Sequence, residues 1–314
     1  MDIRSGDRVA RGGPQGGPRG GPQGADDTAP GIRHYCLPGV LMRHEPGPEA
    51  LAPVVVDSPH SGRDYPEDFG HAAPLDLLRR AEDAFVDELI ADAPAEGAPL
   101  LAALFPRSYI DPNRHEDDID ESLLAEPWPH GARPTGRSQR GLGLLRRLLS
   151  PTLPIYDRAL GIVEVERRLA GFYHPYHDAL RSLLDAAHAR FGAVWHVNFH
   201  SMKAMGRGRH SHPRADFVLG DLDGAACDRD FTALVKEILS GMGYSVRLND
   251  PFKGAELVTR YSEPRAGRHS LQIEINRRLY LDEAAIAKTA DFDALRADMR
   301  RLISGVVGYA RKSV

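Results

Sequence analysis

Two short apolar runs, each followed by a histidine, constrain the fold of this chain most strongly. The first is LAPVVVD at residues 51–57, which leads into a turn-forming SPHSG that contains His60. The second is AVWHVNF at residues 193–199, which ends directly before His200. Short runs rich in β-branched and aromatic residues are typical of buried strands. Because ligand sites of covered parallel sheets lie beyond the strands' carboxyl ends, both histidines are candidates for such a site.

Segments with helical and strand-like patterns alternate along the rest of the chain. Helical periodicity marks residues 75–93, 155–191 (with a break before Pro175), 228–242 and 292–309, and strand-like patterns mark 99–105, 109–110, 216–219, 244–248 and 270–275. This alternation predicts an α/β fold, a three-layer αβα sandwich with a mainly parallel, mixed central sheet. Residues 111–155 are polar apart from a helical piece at 142–149, and we expect so long a loop to be functional or mobile.

The N-terminal segment differs from the rest in composition. Residues 11–24 read RGGPQGGPRGGPQG and offer almost nothing to bury. Such a segment cannot offset its ordering entropy, so we predict a disordered tail over residues 1–35, and a solvated tail is favoured over one that binds a partner. The remaining residues, 36–314, fit a single α/β domain.

Composition argues against several classes of protein. The formal net charge of -4 and the pI near 6.4 give no electrostatic reason to expect nucleic acid or a membrane surface as a partner. The two cysteines, Cys36 and Cys227, are too far apart in sequence to indicate a disulfide scaffold. No apolar stretch approaches the roughly 20 residues of a membrane span, and no signal-type segment is present. We therefore expect a cytoplasmic protein with a small-molecule substrate; the oligomeric state stays open.

Four polar side chains fall at or beside the predicted strand ends: His60, Asp83, His200 and Glu274. Two imidazoles and one carboxylate are a common catalytic zinc set that leaves a coordination position for water. Zinc lowers the pKa of such a water to about 7 and polarises a carbonyl. Glu274 stands among apolar neighbours in SLQIEI, so it must face a polar cavity or carry a large desolvation cost. It is therefore the best candidate for the general base.

Spacing alone leaves alternatives open for these residues. A histidine at a strand end is more often structural than a metal ligand, and Glu274 has Arg277 and Arg278 nearby for an ordinary salt bridge. Glu82 directly precedes Asp83 and competes with it for the carboxylate position. No HExxH or CxxC signature decides between a zinc site and a structural cluster.

Seven blocks of sequence, in order over about residues 50–285, carry a family resemblance. They are PHSGRDYP at 59–66, EDAFVD at 82–87, SYIDPNR at 108–114, YHPYHDAL at 173–180, VNFHSM at 197–202, FKGAELVTRYSEP at 252–264 and HSLQIEINRRLYLDE at 269–283. Together they resemble the N-formylglutamate amidohydrolase family. The resemblance implies a phosphorylase/hydrolase-like fold, similar to that of zinc carboxypeptidases, with one zinc ion per chain. It also implies hydrolysis of N-formyl-L-glutamate to formate and L-glutamate, the last step of histidine breakdown.

By the same resemblance, His60, Asp83 and His200 are the zinc ligands and Glu274 is the general base. The HxxE arrangement of carboxypeptidases is absent, because Arg63 stands three residues after His60. This departure agrees with a carboxylate ligand that comes from the next helix, and it disfavours peptidase activity.

A substrate with two carboxylates needs cationic donors, and the planar fork of arginine suits a carboxylate. Asn113 and Arg114 resemble the asparagine–arginine pair with which related carboxypeptidases hold an α-carboxylate. Lys253 and Arg260 are candidates for the second carboxylate or for the developing oxyanion. The alternative for each is a solvated surface charge.

Further residues are candidates for the lining of the site. Ser61 and Ser201 adjoin the predicted ligands, and His174 and His177 are spaced to share one helix face, with one at the site and the other packed. His210 and His212 lie in the loop GRGRHSHPR, for which a mobile surface loop is favoured over a lid that closes on substrate.

Three other functions compete with deformylation of N-formylglutamate. The nearest is the same zinc chemistry on a different N-acylated or amide substrate. The second is a carboxypeptidase-like peptidase, and the third is a catalytically silent binding protein. The presence of Glu274 argues against the third, because a binding protein has no need of a general base.

Overall fold

The computed structural model describes residues 31–205 and 214–314, which contain one large mixed β-sheet. The strands are β1 (Ile32–Leu37), β2 (Leu41–Pro46), β3 (Val54–Ser58), β4 (Leu100–Ala103), β5 (Leu148–Ser150), β6 (Leu153–Pro154), β7 (Val194–Met202), β8 (Phe217–Gly220), β9 (Val246–Leu248), β10 (Arg268–Asn276), β11 (Leu281–Asp282) and β12 (Ala287–Lys288). The eight-stranded sheet has the order β1-β2-β4-β3-β7-β10-β8-β9. Its centre, β4-β3-β7-β10, is parallel, whereas β1 and β2 pair antiparallel with their neighbours, and β8 pairs antiparallel with β10 but parallel with β9.

Helices cover both faces of this sheet. They are α1 (Leu75–Leu78), α2 (Val86–Leu89), α3 (Ile162–Arg168), α4 (His174–Phe191), α5 (Arg229–Gly241), α6 (Glu256–Tyr261) and α7 (Phe292–Lys312). Side chains of β3 alternate between the two cores: Val54 and Val56 pack with α2, α5 and α7, and Val55 packs with α3, α4 and α6. The predicted three-layer α/β fold with a mixed, mainly parallel sheet is therefore confirmed.

The prediction of one helix over residues 75–93 is wrong. The segment breaks after a 3₁₀ turn, where Glu82 is extended (φ -66°, ψ 150°) and Phe85 is left-handed (φ 62°). The break has a packing cause, because Leu78 belongs to one core and Leu89 to the core on the opposite face of the sheet. A continuous helix presents one apolar stripe and cannot serve both cores. The chain crosses between them at Asp83.

The polar segment at residues 111–155 contains no helix at 142–149. It forms instead the hairpin β5–β6, and residues 109–110 form a turn rather than a strand. The helical region predicted over 155–191 begins at Ile162. It is not interrupted before Pro175, because a π-helical turn at Leu169–Tyr173 joins α3 to α4. Pro175 is the second residue of α4 and directly follows this π-helical turn.

At the N-terminal end, the ordered chain begins before the predicted boundary at residue 36. Ile32–Leu37 forms the edge strand β1, which pairs with all of β2. The repeat at residues 11–24 lies outside the described residues. Within the described part of the chain, no helix is long and apolar enough to cross a membrane.

Candidate active site

His60, His200 and Glu274 lie together towards the carboxyl ends of the central parallel strands. β3 and β7 run parallel with Asp57 opposite Asn198, so the loop after β3 brings His60 beside His200. β7 and β10 are also parallel, and in their register Glu274 lies directly opposite His200. The break after α1 brings Asp83 to the same point, where its backbone N–H donates to the His60 carbonyl at 2.9 Å.

Asp83 and the two imidazoles form a compact, buried cluster. Asp83 Oδ2 lies 3.0 Å from His200 Nδ1 and 3.4 Å from His60 Nδ1, and the two Nδ1 atoms are 3.0 Å apart. Ligands that bind zinc tetrahedrally at 2.0–2.1 Å lie roughly 3.3 Å from one another. The donor atoms of the cluster therefore have the chemistry and the spacing of a zinc ligand set.

Hydrogen-bonding groups lie behind both imidazoles, at the Nε2 atom of each ring. His60 Nε2 lies 2.6 Å from Asp111 Oδ1, and His200 Nε2 lies 2.7 Å from Asn198 Oδ1. The amide of Asn198 is oriented in turn, because its Nδ2 donates to Asp57 Oδ1 at 2.7 Å. His60 thus donates through Nε2, and its Nδ1 lone pair faces Asp83. His200 Nε2 lies between the acceptor Asn198 Oδ1 and the donor Asn113 Nδ2, which is 3.0 Å away; in the tautomer that donates to Asn198, the His200 Nδ1 lone pair also faces Asp83. A hydrogen-bond partner on the far ring nitrogen is usual for histidines that bind a metal.

Burial and charge shift the pKa values of the cluster. Burial lowers the pKa of His200 to about 4, so its ring is neutral and able to bind a metal at neutral pH. Burial alone would raise the pKa of Asp83, but its contacts with His200 and His60 and the charge of Arg107 outweigh it and hold that pKa well below its usual range. Burial, with the charge of Asp83, raises the pKa of Glu274 to about 8 in the metal-free protein. A bound cation would lower it again.

A cavity of about 900 Å³ opens in front of this cluster, and its wall includes His60, Asp83, His200 and Glu274. Arginines predominate among the other polar side chains of the wall: Arg80, Arg107, Arg114, Arg137, Arg140, Arg146, Arg214 and Arg277. An apolar part of the wall comes from Leu77 and from leucines of the hairpin β5–β6. The cavity thus combines a ligand set for a metal, a buried carboxyl group and a strongly cationic wall.

A model of the N-formylglutamate amidohydrolase family matches residues 52–281. The chain belongs to this family. It is similar to an N-formylglutamate deformylase of Pseudomonas aeruginosa, at 28% identity over 270 residues that cover 83% of this chain and 94% of the relative. A deformylase of Pseudomonas putida is 28% identical over 74% of this chain and 82% of its own length. The chain is also similar to the N-formylglutamate amidohydrolase from Ralstonia eutropha, whose crystal structure superposes with a TM-score of 0.84. The two sequences are 42% identical, and the match covers 88% of this chain and 100% of the relative.

Several residues predicted from the family blocks line the cavity. Asn113, Arg114 and Ser201 do so. Of the two carboxylates that competed for the cluster, Asp83 contacts both histidines, whereas Glu82 accepts a hydrogen bond from the Tyr65 hydroxyl at 2.8 Å. The geometry therefore favours Asp83 as the ligand.

Lys253 and Arg260 do not line the cavity. The Lys253 side chain is 58% exposed and its ammonium pairs with Asp223 at 2.7 Å. The Arg260 guanidinium pairs with Glu256, one turn earlier on α6, also at 2.7 Å. Their segment reaches the cavity through Gly254 and Ala255 instead, so the prediction that these two cations contact substrate is not supported by their placement.

The remaining predicted lining residues lie behind the site or outside it. The Ser61 hydroxyl is buried against Ser58 at 3.0 Å, and His174 is exposed and pairs with Glu116 at 3.1 Å. His177 is buried behind the cavity, where its ring lies 2.9 Å from the Pro112 carbonyl and 2.8 Å from the Tyr261 hydroxyl. It therefore supports the segment that carries Asn113. His210 and His212 lie outside the described residues.

Sequence reasoning missed several residues of the site. Asp111, inside the block SYIDPNR, orients His60, and Arg107 pairs with Asp111 at 2.8 Å. Arg277 donates to the Ser201 hydroxyl at 2.9 Å and lies 3.2 Å from Asp83 Oδ1. The polar segment also carries four arginines between residues 137 and 147. A loop so long and so rich in arginine, in a chain expected to bind an anion, was the available signal.

The buried His177 should make the protein less stable in acid. Burial lowers the pKa of His177 to about 3, against about 6.5 in the unfolded chain. The contribution of His177 to the free energy of unfolding is fully present above pH 6.5. It is lost as the pH falls towards 3, by up to about 1.4 kcal/mol per pH unit. Urea unfolding between pH 7.5 and 4.5 should show a shallower pH dependence for His177→Gln than for wild type. The exposed His174→Gln is the matched control, and equal slopes for His177→Gln and wild type would refute the assignment.

Proposed function

We propose that this chain is a zinc-dependent hydrolase that cleaves the amide bond of N-formyl-L-glutamate to give formate and L-glutamate. The observation that carries the proposal is the convergence of His60, Asp83 and His200 beside the buried Glu274, in a cavity walled by arginines. The family match and the names of the relatives support it. The reaction would take place in one catalytic domain, in the cytoplasm, as the last step of histidine breakdown.

His60 and His200, through Nδ1, and Asp83 would hold the zinc ion. When bound there, zinc would polarise the formyl carbonyl and lower the pKa of a water molecule towards about 7. Asp111 and Asn198 would keep the two imidazoles in the required tautomer. The three side chains thus supply donor atoms that suit zinc, and Asp111 and Asn198 supply the hydrogen bonds that orient the imidazoles.

Glu274 would move the proton. Its carboxylate accepts a proton from the water that attacks the formyl carbon, and it delivers that proton to the nitrogen of the departing glutamate. The C–N bond breaks, and formate and a free amine result. The Gln272 side-chain amide donates to Glu274 Oε1 at 3.0 Å and orients the carboxylate, while the hydrophobic neighbours in β10 limit its solvation.

Asn113 and Arg114 would bind the α-carboxylate of the substrate. Asn113 Oδ1 accepts from the Leu257 backbone N–H at 2.9 Å, which leaves its Nδ2 directed towards His200 and the cavity. The Arg114 guanidinium is held by the carbonyls of Leu142 and of Asn113. Burial lowers the pKa of Arg114 to about 10, so it remains a cation at neutral pH. An anionic substrate would compensate this buried charge.

The size of the cavity favours a second candidate, the same chemistry on a larger N-acyl amino acid. A volume of about 900 Å³ is that of about thirty water molecules in the liquid. It lies near the upper end of the roughly 300–1,000 Å³ found for ligand pockets. N-formylglutamate, with about a dozen non-hydrogen atoms, leaves part of this space unfilled, and the leucines of β5–β6 offer an apolar surface to a longer acyl group.

Metal analysis joined to a formate-release assay tests the proposal. The purified protein should contain about one zinc ion per chain and should release formate from N-formyl-L-glutamate. Removal of the metal with a chelator should abolish turnover, and zinc should restore it. A panel of N-acetyl and longer N-acyl glutamates, with peptides that carry a free C-terminus, separates the alternatives. A zinc-loaded protein that hydrolyses none of these compounds would rule out the proposed activity.

A further inference from the structure

The proposed substrate carries two carboxylates, and Asn113 with Arg114 accounts for only one. The cations first considered for the other, Lys253 and Arg260, pair with acidic residues outside the cavity wall. The following inference rests on the proposed function and concerns the residue that takes their place, Arg146 of the 111–155 segment.

Arg146 is a largely buried cation without a hydrogen-bonded partner. Its side chain is 12% exposed and lines the cavity. The nearest carboxylate oxygen, Asp111 Oδ2, lies 3.7 Å away, which is beyond hydrogen-bond distance. Arg146 Nε is buried and makes no hydrogen bond within the described residues. Burying a guanidinium in this way costs free energy unless an anion compensates it.

Asp111 cannot supply that compensation, because other donors already use both of its oxygens. Oδ2 accepts from Arg107 Nη2 at 2.8 Å and from Arg107 Nε at 3.2 Å. Oδ1 accepts from His60 Nε2 at 2.6 Å and from the Asn113 backbone N–H at 2.9 Å. Asp111 therefore supports His60, and Arg146 faces the cavity with only a long ion pair of 3.7 Å to an oxygen that Arg107 already occupies.

A second arginine of the same segment adds to this positive charge. Arg137 lines the cavity, and its side chain makes neither an ion pair nor a hydrogen bond in the part of the chain that the structure describes. Its charge acts on Arg114 and on Glu274. Burial, together with the charge of Arg107, lowers the pKa of Arg146 to about 9, which reflects how closely these cations are crowded. A carboxylate beside Arg146 would offset the repulsion that Arg107 and Arg114 exert on it.

We propose that Arg146, assisted by Arg137, binds the side-chain carboxylate of the substrate while Asn113 and Arg114 bind the α-carboxylate. The site then selects N-acyl amino acids with an acidic side chain. The planar guanidinium fork donates a hydrogen bond to each oxygen of a carboxylate, whereas a neutral amide of the same shape offers one acceptor and no charge. Loss of a charged hydrogen-bonded contact corresponds to a discrimination of up to about 100-fold.

The test compares kcat/KM for N-formylglutamate and N-formylglutamine. Wild type should prefer the glutamate compound by about 100-fold. Arg146→Gln should lose most of this preference through a higher KM for N-formylglutamate, with kcat/KM for N-formylglutamine nearly unchanged. Arg146→Lys, which keeps the charge but loses the fork, should retain part of the preference. Arg133→Gln is the matched control, because it removes the same charge from an exposed side chain of the same segment and should leave the preference intact.

Two results would overturn the assignment of Arg146. One is a wild-type enzyme that hydrolyses both compounds equally well. The other is an Arg146→Gln variant that loses the same factor on both, since a residue with only a structural role would act on both substrates alike. Failure of the proposed function is distinct, because zinc-loaded wild type would then release formate from neither compound. Should Arg146→Gln not fold, inhibition of wild type by glutarate and by butyrate decides: glutarate must bind far more tightly, and equal inhibition refutes the assignment.

Discussion

Replacement of Glu274 with glutamine should lower kcat for N-formyl-L-glutamate by about 10²–10⁴-fold, the usual contribution of a general acid–base group. Glutamine keeps the shape of the side chain and can still bond to Gln272, but its amide cannot accept a proton from water. Because Glu274 is not one of the three clustered metal donors, the zinc content should equal that of wild type. Steady-state formate release and metal analysis of the same preparation measure both quantities.

The matched control for this variant is Glu237→Gln on the exposed face of α5, which should leave kcat unchanged. Near-normal turnover by Glu274→Gln would show that another group takes the proton. Loss of zinc together with loss of turnover would instead show that Glu274 acts as a ligand. The two failures are separable because metal content and kcat are measured independently.

Replacement of His200 with alanine should reduce zinc affinity by more than the 10–100-fold that follows the loss of a supporting partner. The variant removes one of three protein donors and leaves Asp83 with a single histidine within the cluster. Turnover at limiting zinc should disappear with the metal. Zinc titration against a competing chelator of known affinity measures the loss.

His174→Ala is the control, because this exposed histidine pairs with Glu116 and lies outside the cavity wall. It should bind zinc as wild type does. A His200→Ala protein that kept one tightly bound zinc ion would require a different ligand set. That outcome would leave the fold and the family unchanged but would remove the chemical basis of the proposed reaction.

The sequence predicted the sheet well because buried strands leave a strong local pattern. The runs at 51–57 and 193–199 both proved to be strands, and the histidines that follow or end them lie side by side. Glu274 was recognisable because a glutamate inside an apolar strand needs a polar environment. In each case the signal came from neighbours in sequence.

Other features depend on contacts between distant parts of the chain and could not be predicted in this way. The apolar spacing over 75–93 is helical, but Leu78 and Leu89 pack on opposite faces of the sheet, which breaks the helix at Asp83. Lys253 and Arg146 are both cations in polar segments. Only the tertiary structure shows that the first pairs with Asp223 outside the cavity wall, whereas the second faces the cavity.

The groups proposed for catalysis and those proposed for substrate selection lie in different parts of the fold. Glu274 and His200 lie opposite each other in strands that are hydrogen-bonded on both sides, so their relative position is rigid. The arginines at 137 and 146 belong to a segment outside that sheet. If these arginines bind the substrate as proposed, substitutions there can change the substrate preference without moving Glu274 relative to His200. With Arg146 and Arg137 in the role proposed above, a change of substrate preference would need substitutions in that segment only.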